Sequence, residues 1–138
     1  MISVSVPIAV QFFHLDPMEV VWHGNYANFF EEARCALLNL LGYNYTEMRN
    51  SGFAWPVVDM RTKFIRPARF GQRIVVTATL AEYENRLKID YVIRDEATGE
   101  TLTKGQTIQV AVDAGSGEMC FESPAILLEK VRKAQCAS

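Results

Sequence analysis

The chain has 138 residues, with 14 basic against 16 acidic side chains and 49% hydrophobic content, which suits one domain with a buried core. A net charge of −2 excludes a nucleic-acid binder that works by neutralising phosphates. The apolar content excludes disorder, and no apolar run is long enough to span a bilayer.

Ile2, Val4, Val6, Ile8, Val10 and Phe12 alternate with Ser3, Ser5, Ala9 and Gln11, the two-residue period of a half-buried strand. Pro7 inside it predicts an edge position or a bulge. The pattern stops at His14-Leu15-Asp16-Pro17, where Pro17 disfavours helix at Asp16. Tyr26, Phe29, Phe30, Ala33, Leu37, Leu40 and Leu41 then recur at helical spacing. They predict a long helix over 25–41, with Asn25 as N-cap, Gly24 just before it and Gly42 as a left-handed C-terminal residue. So few charges interrupt this stripe that the helix must pack against a sheet. A shorter helical or turn segment is expected over 45–50.

The remainder reads as strands over 55–65, 73–83, 87–94 and 101–113. Turns stand at Glu84-Asn85 and Ala97-Thr98-Gly99-Glu100, and Gly115-Ser116-Gly117 closes the last strand. The last strand carries Ile108, Val110 and Val112. Ser123-Pro124 predicts the start of a short terminal helix ending near Gln135. Strand, long helix, four hairpin-connected strands and short helix make an α+β domain spanning 1–138, with an antiparallel sheet around one helix.

Met1 to Phe13 lack the basic flank of a secretory signal. Cys35, Cys120 and Cys136 form no CxxC pair, so neither a disulfide framework nor a zinc knuckle is indicated. The expectation is a soluble cytoplasmic protein.

Chemistry concentrates between His14 and Asn25, where a loop carboxylate, Asp16, precedes a helix start at His23-Gly24-Asn25. Unpaired N–H groups there can hold a carbonyl oxygen, and a nearby carboxylate is then a nucleophile or base beside an oxyanion hole. The plainer reading is that Asp16 only fixes its turn.

The run Asp16-Pro17-Met18-Glu19-Val20-Val21-Trp22-His23-Gly24-Asn25-Tyr26, continued by Phe29-Phe30-Glu31-x-Ala33-Arg34, resembles the signature of hotdog-fold acyl-CoA thioesterases of the 4-hydroxybenzoyl-CoA thioesterase type. Beyond Arg34 the likeness is one of element order. The resemblance implies a curved five-stranded antiparallel sheet wrapped around the helix, and hydrolysis of an acyl thioester carried by CoA or acyl carrier protein. It implies Asp16 as the catalytic carboxylate, nucleophile or base, and backbone N–H groups of His23 and Gly24 as the oxyanion contact. Asn25 and Tyr26 match positions that shape the turn and line the acyl site, and basic residues of later strands, Arg86 and Lys88, match contacts to CoA phosphates. It implies a homodimer or homotetramer with the site at a subunit interface, and no cofactor or metal.

The chain departs from the pattern at Glu19, where the family usually has Gly, and at His14, often acidic there. Glu19 would be a second carboxylate near the site if it turned inward. Its other orientation is toward solvent. His23 is open to two roles, acid–base group or hydrogen-bonding brace of the helix start. Glu31 and Arg34 form an expected structural pair. Arg61, Lys63, Arg66, Arg69 and Arg73 cluster in sequence, either as phosphate contacts or as a solvated face. Phe53 and Trp55 are either pocket cover or core, and Cys35 and Cys120 pack. Two other functions fit this reading, a hydroxyacyl-thioester dehydratase using His23 and a carboxylate, and a non-catalytic acyl-thioester-binding protein.

Overall fold

In the computed structural model, which describes residues 1–137, the opening alternation becomes β1 (Ser3–Ala9), paired on one side only. Pro7 therefore sits on an edge strand, opposite Val75, where a missing N–H breaks no interior ladder. Phe12 leaves the strand: Phe12–His14 is a turn of 3-10 helix, and Phe12 is 79% exposed. Its alternation in sequence continued three residues past the end of the pairing.

The long helix, α1, is Asn25–Leu41, and Gly42 ends it with φ 71° in the left-handed conformation. Its N-cap is Gly24, not Asn25, and no side chain caps it. Leu40 from the predicted stripe is exposed at 56%, whereas Leu38 and Arg34 are buried, because α1 is covered over a wider arc than the stripe alone. α2 (Tyr45–Asn50) follows, its start closed by reciprocal hydrogen bonds between Asn44 and Glu47.

The strand expected over 55–65 is β3 (Val57–Phe64), preceded by a two-residue β2 (Phe53–Ala54) and Trp55-Pro56. The stretch 101–113, by contrast, divides into β6 (Thr101–Gln109) and β7 (Val112–Asp113), and β7 pairs with β2 apart from the main sheet. With β4 (Arg73–Glu82) and β5 (Leu87–Asp95), the main sheet is five-stranded and antiparallel throughout, in the order β1-β4-β5-β6-β3. The terminal helix, α3, is Ala125–Ala137. Ser123 Oγ is buried without a partner among the described residues, so it does not cap this helix.

The face toward α1 carries Ile74, Val76, Ala78 and Leu80 of β4 and Leu87, Ile89, Tyr91 and Ile93 of β5, all buried. On β6 the same face is small and polar, with Thr103, Gly105, Thr107 and Gln109 standing opposite Ile93, Tyr91, Ile89 and Leu87. Ile108 lies on the other face of β6, Val110 beyond its end and Val112 on β7. The small face lets α1 come close: the Phe30 ring stacks on Tyr91 at 4.5 Å and lies over Gly105. A Cβ at Gly105 would stand 2.5 Å from the Phe30 ring and 2.9 Å from the Arg61 carbonyl oxygen. Phe30 is fully buried and cannot swing away. Gly105→Ala should therefore cost about 1–3 kcal/mol of stability by overpacking, read as a lower urea midpoint at unchanged slope.

Candidate active site

The segment from His14 to Asn25 closes on itself before it becomes helix. The Asp16 N–H donates to the Val20 carbonyl at 2.9 Å and the Glu19 N–H to the Asp16 carbonyl at 2.9 Å, making a tight turn. One Asp16 carboxylate oxygen, Oδ1, accepts the Met18 N–H at 2.8 Å, and the other has no partner among the described residues. The turn is pinned from outside by Val21 N–H to the Ala68 carbonyl at 2.9 Å and by a bridge between Val20 and Arg69. The half-buried carboxylate of Asp16 thus takes one main-chain hydrogen bond and stands on a turn whose own backbone is fixed.

Glu19 is the price of this turn. Its φ is 64°, and it is the only non-glycine residue with positive φ among the described residues. Its side chain is exposed and does not line the cavity beside Asp16, so it faces solvent.

One acceptor joins this loop to the helix. The His14 carbonyl receives the Trp22 N–H at 2.9 Å and the Asn25 Nδ2–H at 2.8 Å. Asn25 therefore ties the first helical residue back to the base of the Asp16 loop and does not cap α1. This bond, and not the His23 ring, braces the helix start; His23 is exposed, with its ring tilted against Trp22 at 5.4 Å. The Trp22 ring also covers Gly24, where an added Cβ would meet it at 2.3 Å. The backbone N–H groups of His23 and Gly24 donate to nothing among the described residues. His14 is held below the usual imidazole range mainly by burial, opposed by the charge of Glu32, and its neutral Nδ1 accepts the Gln11 N–H at 2.9 Å.

Asp16, His23 and Tyr26 meet in one cavity of about 230 Å³ with Met18, Val20, Val21, Phe64, Ile65, Arg66 and Pro67. Tyr26 is 3% exposed, packs edge-on against Phe29 and Phe64, and its phenol is pushed up mainly by burial. The walls are largely apolar, the oxygen is a carboxylate, and free N–H groups lie at the helix start. This combination can bind an acyl group and polarise its carbonyl.

Arg86 and Lys88 are elsewhere. Lys88 stands opposite Ile108, which stands opposite Asp59, while the cavity residue Phe64 lies five positions further along β3. That is about 17 Å along the strand. Arg86 is also engaged by Glu82 at 2.7 Å across the hairpin. The antiparallel register puts the start of β5 at the opposite end of the sheet from the helix N-terminus, so neither residue reaches this cavity within the chain.

Trp55 is core, donating from Nε1 to the Tyr43 hydroxyl at 3.2 Å. Glu31 lies 3.7 Å from Arg34, whose nearly buried guanidinium also donates to the Tyr45 and Tyr91 hydroxyls at 3.4 Å. Residues 64–67, which complete the cavity from the far side, carry no periodic signal toward the site. Only the fold brings them there. Among the described residues no group of three or more His, Cys, Asp or Glu is placed to hold a metal ion, and no helix is long and apolar enough to cross a membrane.

The sequence model of the family described as "Thioesterase superfamily" matches residues 18–102. An esterase of Synechocystis sp., provisionally so named, is 30% identical over 94% of this chain and 78% of its own length. A protein of Bacillus subtilis provisionally named an acyl-CoA thioesterase is 32% identical over 79% of each chain. Among solved structures, a DHNA-CoA thioesterase from Staphylococcus aureus superposes with a TM-score of 0.84 at 27% identity, covering 99% of this chain and 93% of the other.

A residue other than glycine at φ 64° bears a conformational cost of about 1–2 kcal/mol. Part of this returns as unfolded-chain entropy when Gly replaces it. Glu19→Gly should raise unfolding free energy by about 0.5–1 kcal/mol in urea titration, against the usual destabilising effect of new glycines.

Proposed function

The chain belongs to the thioesterase superfamily, and from that premise we propose that it hydrolyses an acyl-CoA thioester with Asp16 as the catalytic carboxylate. The observation that carries this reading is the apolar cavity lined by both Asp16 and the start of α1. The acyl group enters between Tyr26 and Phe64, and the thioester carbonyl lies between the free Asp16 oxygen and the unpaired N–H groups of His23 and Gly24. Asp16 either attacks the carbonyl carbon, giving a mixed anhydride and releasing the thiolate, or takes a proton from the water that attacks. In both routes negative charge moves to the carbonyl oxygen. One preorganised N–H donor there is typically worth ~2.7–4 kcal/mol in the transition state. Asn25 acts through His14: it sets the helix start relative to the loop that carries Asp16.

The same reading includes a homodimer that can pair again into a homotetramer, in the cytoplasm. β3 is an edge strand, and Val57, Val58, Met60 and Phe64 on it are all more than two-fifths exposed. An apolar, unpaired edge of this kind is a template for pairing with another strand. Phe64 belongs both to this edge and to the cavity, so a second copy there would complete the acyl site. The double variant V58K/M60K should turn the assembly into monomers by light scattering; a wild-type chain that is already monomeric overturns the assembly.

Asp16→Asn keeps an oxygen to accept the Met18 N–H, so folding should be unchanged within about 0.5 kcal/mol. Turnover, followed as thiol release from short, long and aromatic acyl-CoAs, should fall at least about 100-fold. Near-full activity would refute the assignment. Loss of a hydroxyl without thiol release would indicate a dehydratase, and saturable binding without turnover a binding protein. Single turnover in oxygen-18 water separates the two roles of Asp16: label in its carboxyl means attack through an anhydride.

A further inference from the structure

The imidazole of His14 lies outside the cavity beside Asp16, yet it is bonded into the same frame. Phe12–His14 is a single 3-10 turn between β1 and the Asp16 loop. The His14 ring is half-buried, edge-on to the buried Phe29 of α1 at 5.1 Å and tilted against Phe13 at 4.4 Å. The Gln11 N–H donates to its Nδ1 at 2.9 Å, while the His14 N–H donates to the Gln11 carbonyl at 3.0 Å. These reciprocal bonds close the turn from both sides.

The carbonyl of the same residue faces the site. It takes the Trp22 N–H at 2.9 Å and the Asn25 Nδ2–H at 2.8 Å, the two donors that set the Asp16 loop against the start of α1. Ring and carbonyl sit on one Cα, so opening the turn at the ring moves the carbonyl as well.

An imidazole accepts at Nδ1 only while that nitrogen carries no proton. In the imidazolium both nitrogens donate, and an Nδ1–H would face the Gln11 N–H. Burial against the core favours the neutral ring, with the charge of Glu32 opposing it. The charged or titratable groups on the neighbouring elements are Glu31 and Glu32 on α1, and Asp16, Glu19 and His23 in the segment that follows. Arg66, Arg69 and Arg73 lie in and after the loop whose Phe70 packs on Phe12. Of all these, Glu32 acts on the ring.

We propose that His14 is a positioning residue for the hydrolysis: its unprotonated Nδ1 keeps the 3-10 turn closed, so that its carbonyl holds Asn25 and the helix start against Asp16. Protonation breaks the Gln11 bond, draws the ring toward Glu32 and loosens the acceptor shared by Trp22 and Asn25. The inference rests on the catalytic role given to Asp16 and deepens it, because turnover then depends on a group that does not line the cavity. The loss falls on kcat, since the apolar walls that bind the acyl group are untouched.

The test compares the full chain with its H14N, H14L and H23N variants. Asn offers an acceptor where Nδ1 stands and does not titrate, whereas Leu fills the space beside Phe29 without an acceptor. The first quantity is the ratio of kcat at pH 8 to kcat at pH 5, from thiol release with saturating benzoyl- and decanoyl-CoA. An ordinary Asp carboxylate is still almost fully ionised at about pH 5, whereas an imidazole held below about 6.5 titrates within the interval. Wild type and H23N should give a ratio of at least about three, and H14N and H14L a ratio near one, with KM constant to about twofold. At the higher pH H14L should be slower than H14N by about threefold or more, because it lacks the acceptor altogether. The second quantity is independent of turnover. In nitrogen-15-labelled protein the Asn25 side-chain amide and the Trp22 backbone amide should titrate together with the His14 ring in wild type, and stand still in H14N.

A limb that survives in H14N and disappears in H23N assigns the titration to His23 and overturns the proposal. So does a wild-type kcat that stays flat to pH 5, or Asn25 and Trp22 signals that ignore the His14 proton. A purely structural turn would make H14N slower by the same factor at every pH with the wild-type ratio kept, and that result overturns the proposal too. If the amide signals follow His14 but no thioester is cleaved, the coupling through the His14 carbonyl stands and the hydrolytic reading falls.

Discussion

The rest of the structure depends on how closely α1 can approach the sheet. Phe30 lies against Gly105 and stacks on Tyr91, and no larger residue fits beneath that ring. The polar, small face of β6 is the complement of a helix whose own face is aromatic. Fully burying residues such as Phe29, Phe30 and Leu37 is worth about 1.5–3 kcal/mol each. That gain is available only because Gly105 admits the ring. The same contact fixes the height and axial position of α1, and so the point at which its N-terminus emerges.

From that point the site is built by backbone. The His14 carbonyl gathers the Trp22 and Asn25 donors, the Asp16 turn closes through Val20 and Glu19, and the Ala68 carbonyl fastens the turn to the opposite loop. Each bond is ordinary, contributing about 0.5–1.5 kcal/mol, but together they hold Asp16 and the His23 end of α1 at one apolar cavity. The left-handed backbone at Glu19 belongs to the same arrangement. A strained residue at this turn is tolerated because four surrounding hydrogen bonds over-determine its conformation.

Charge is divided as sharply as shape. The cavity beside Asp16 is walled mainly by Met18, Val20, Val21, Tyr26, Phe64 and Ile65, whereas an adjoining depression holds two arginines and two carboxylates. The boundary is Arg66-Pro67, the point where β3 has ended and the chain turns toward β4.

Local pattern alone determined the long helix, its Gly42 stop and the hairpin order of β4 to β6; it narrowed Pro7 to an edge or a bulge, and it held in one contiguous run Asp16, His23 and Tyr26, which line one cavity. Those features rest on periodicity, turn residues and a contiguous motif, which act over a few residues. Tertiary structure decided the rest. Val110 interrupts the apparently continuous last strand because the segment after it leaves the main sheet to form the β2–β7 ladder. Phe12 and Leu40 are exposed because they lie outside the core that α1 and the sheet enclose. Arg86 and Lys88 fall away from Asp16, and Phe64 to Arg69 fall beside it, because antiparallel register places residues by pairing, and pairing partners are far apart in sequence. Burial and proximity are properties of that pairing, so no window of the chain contains them.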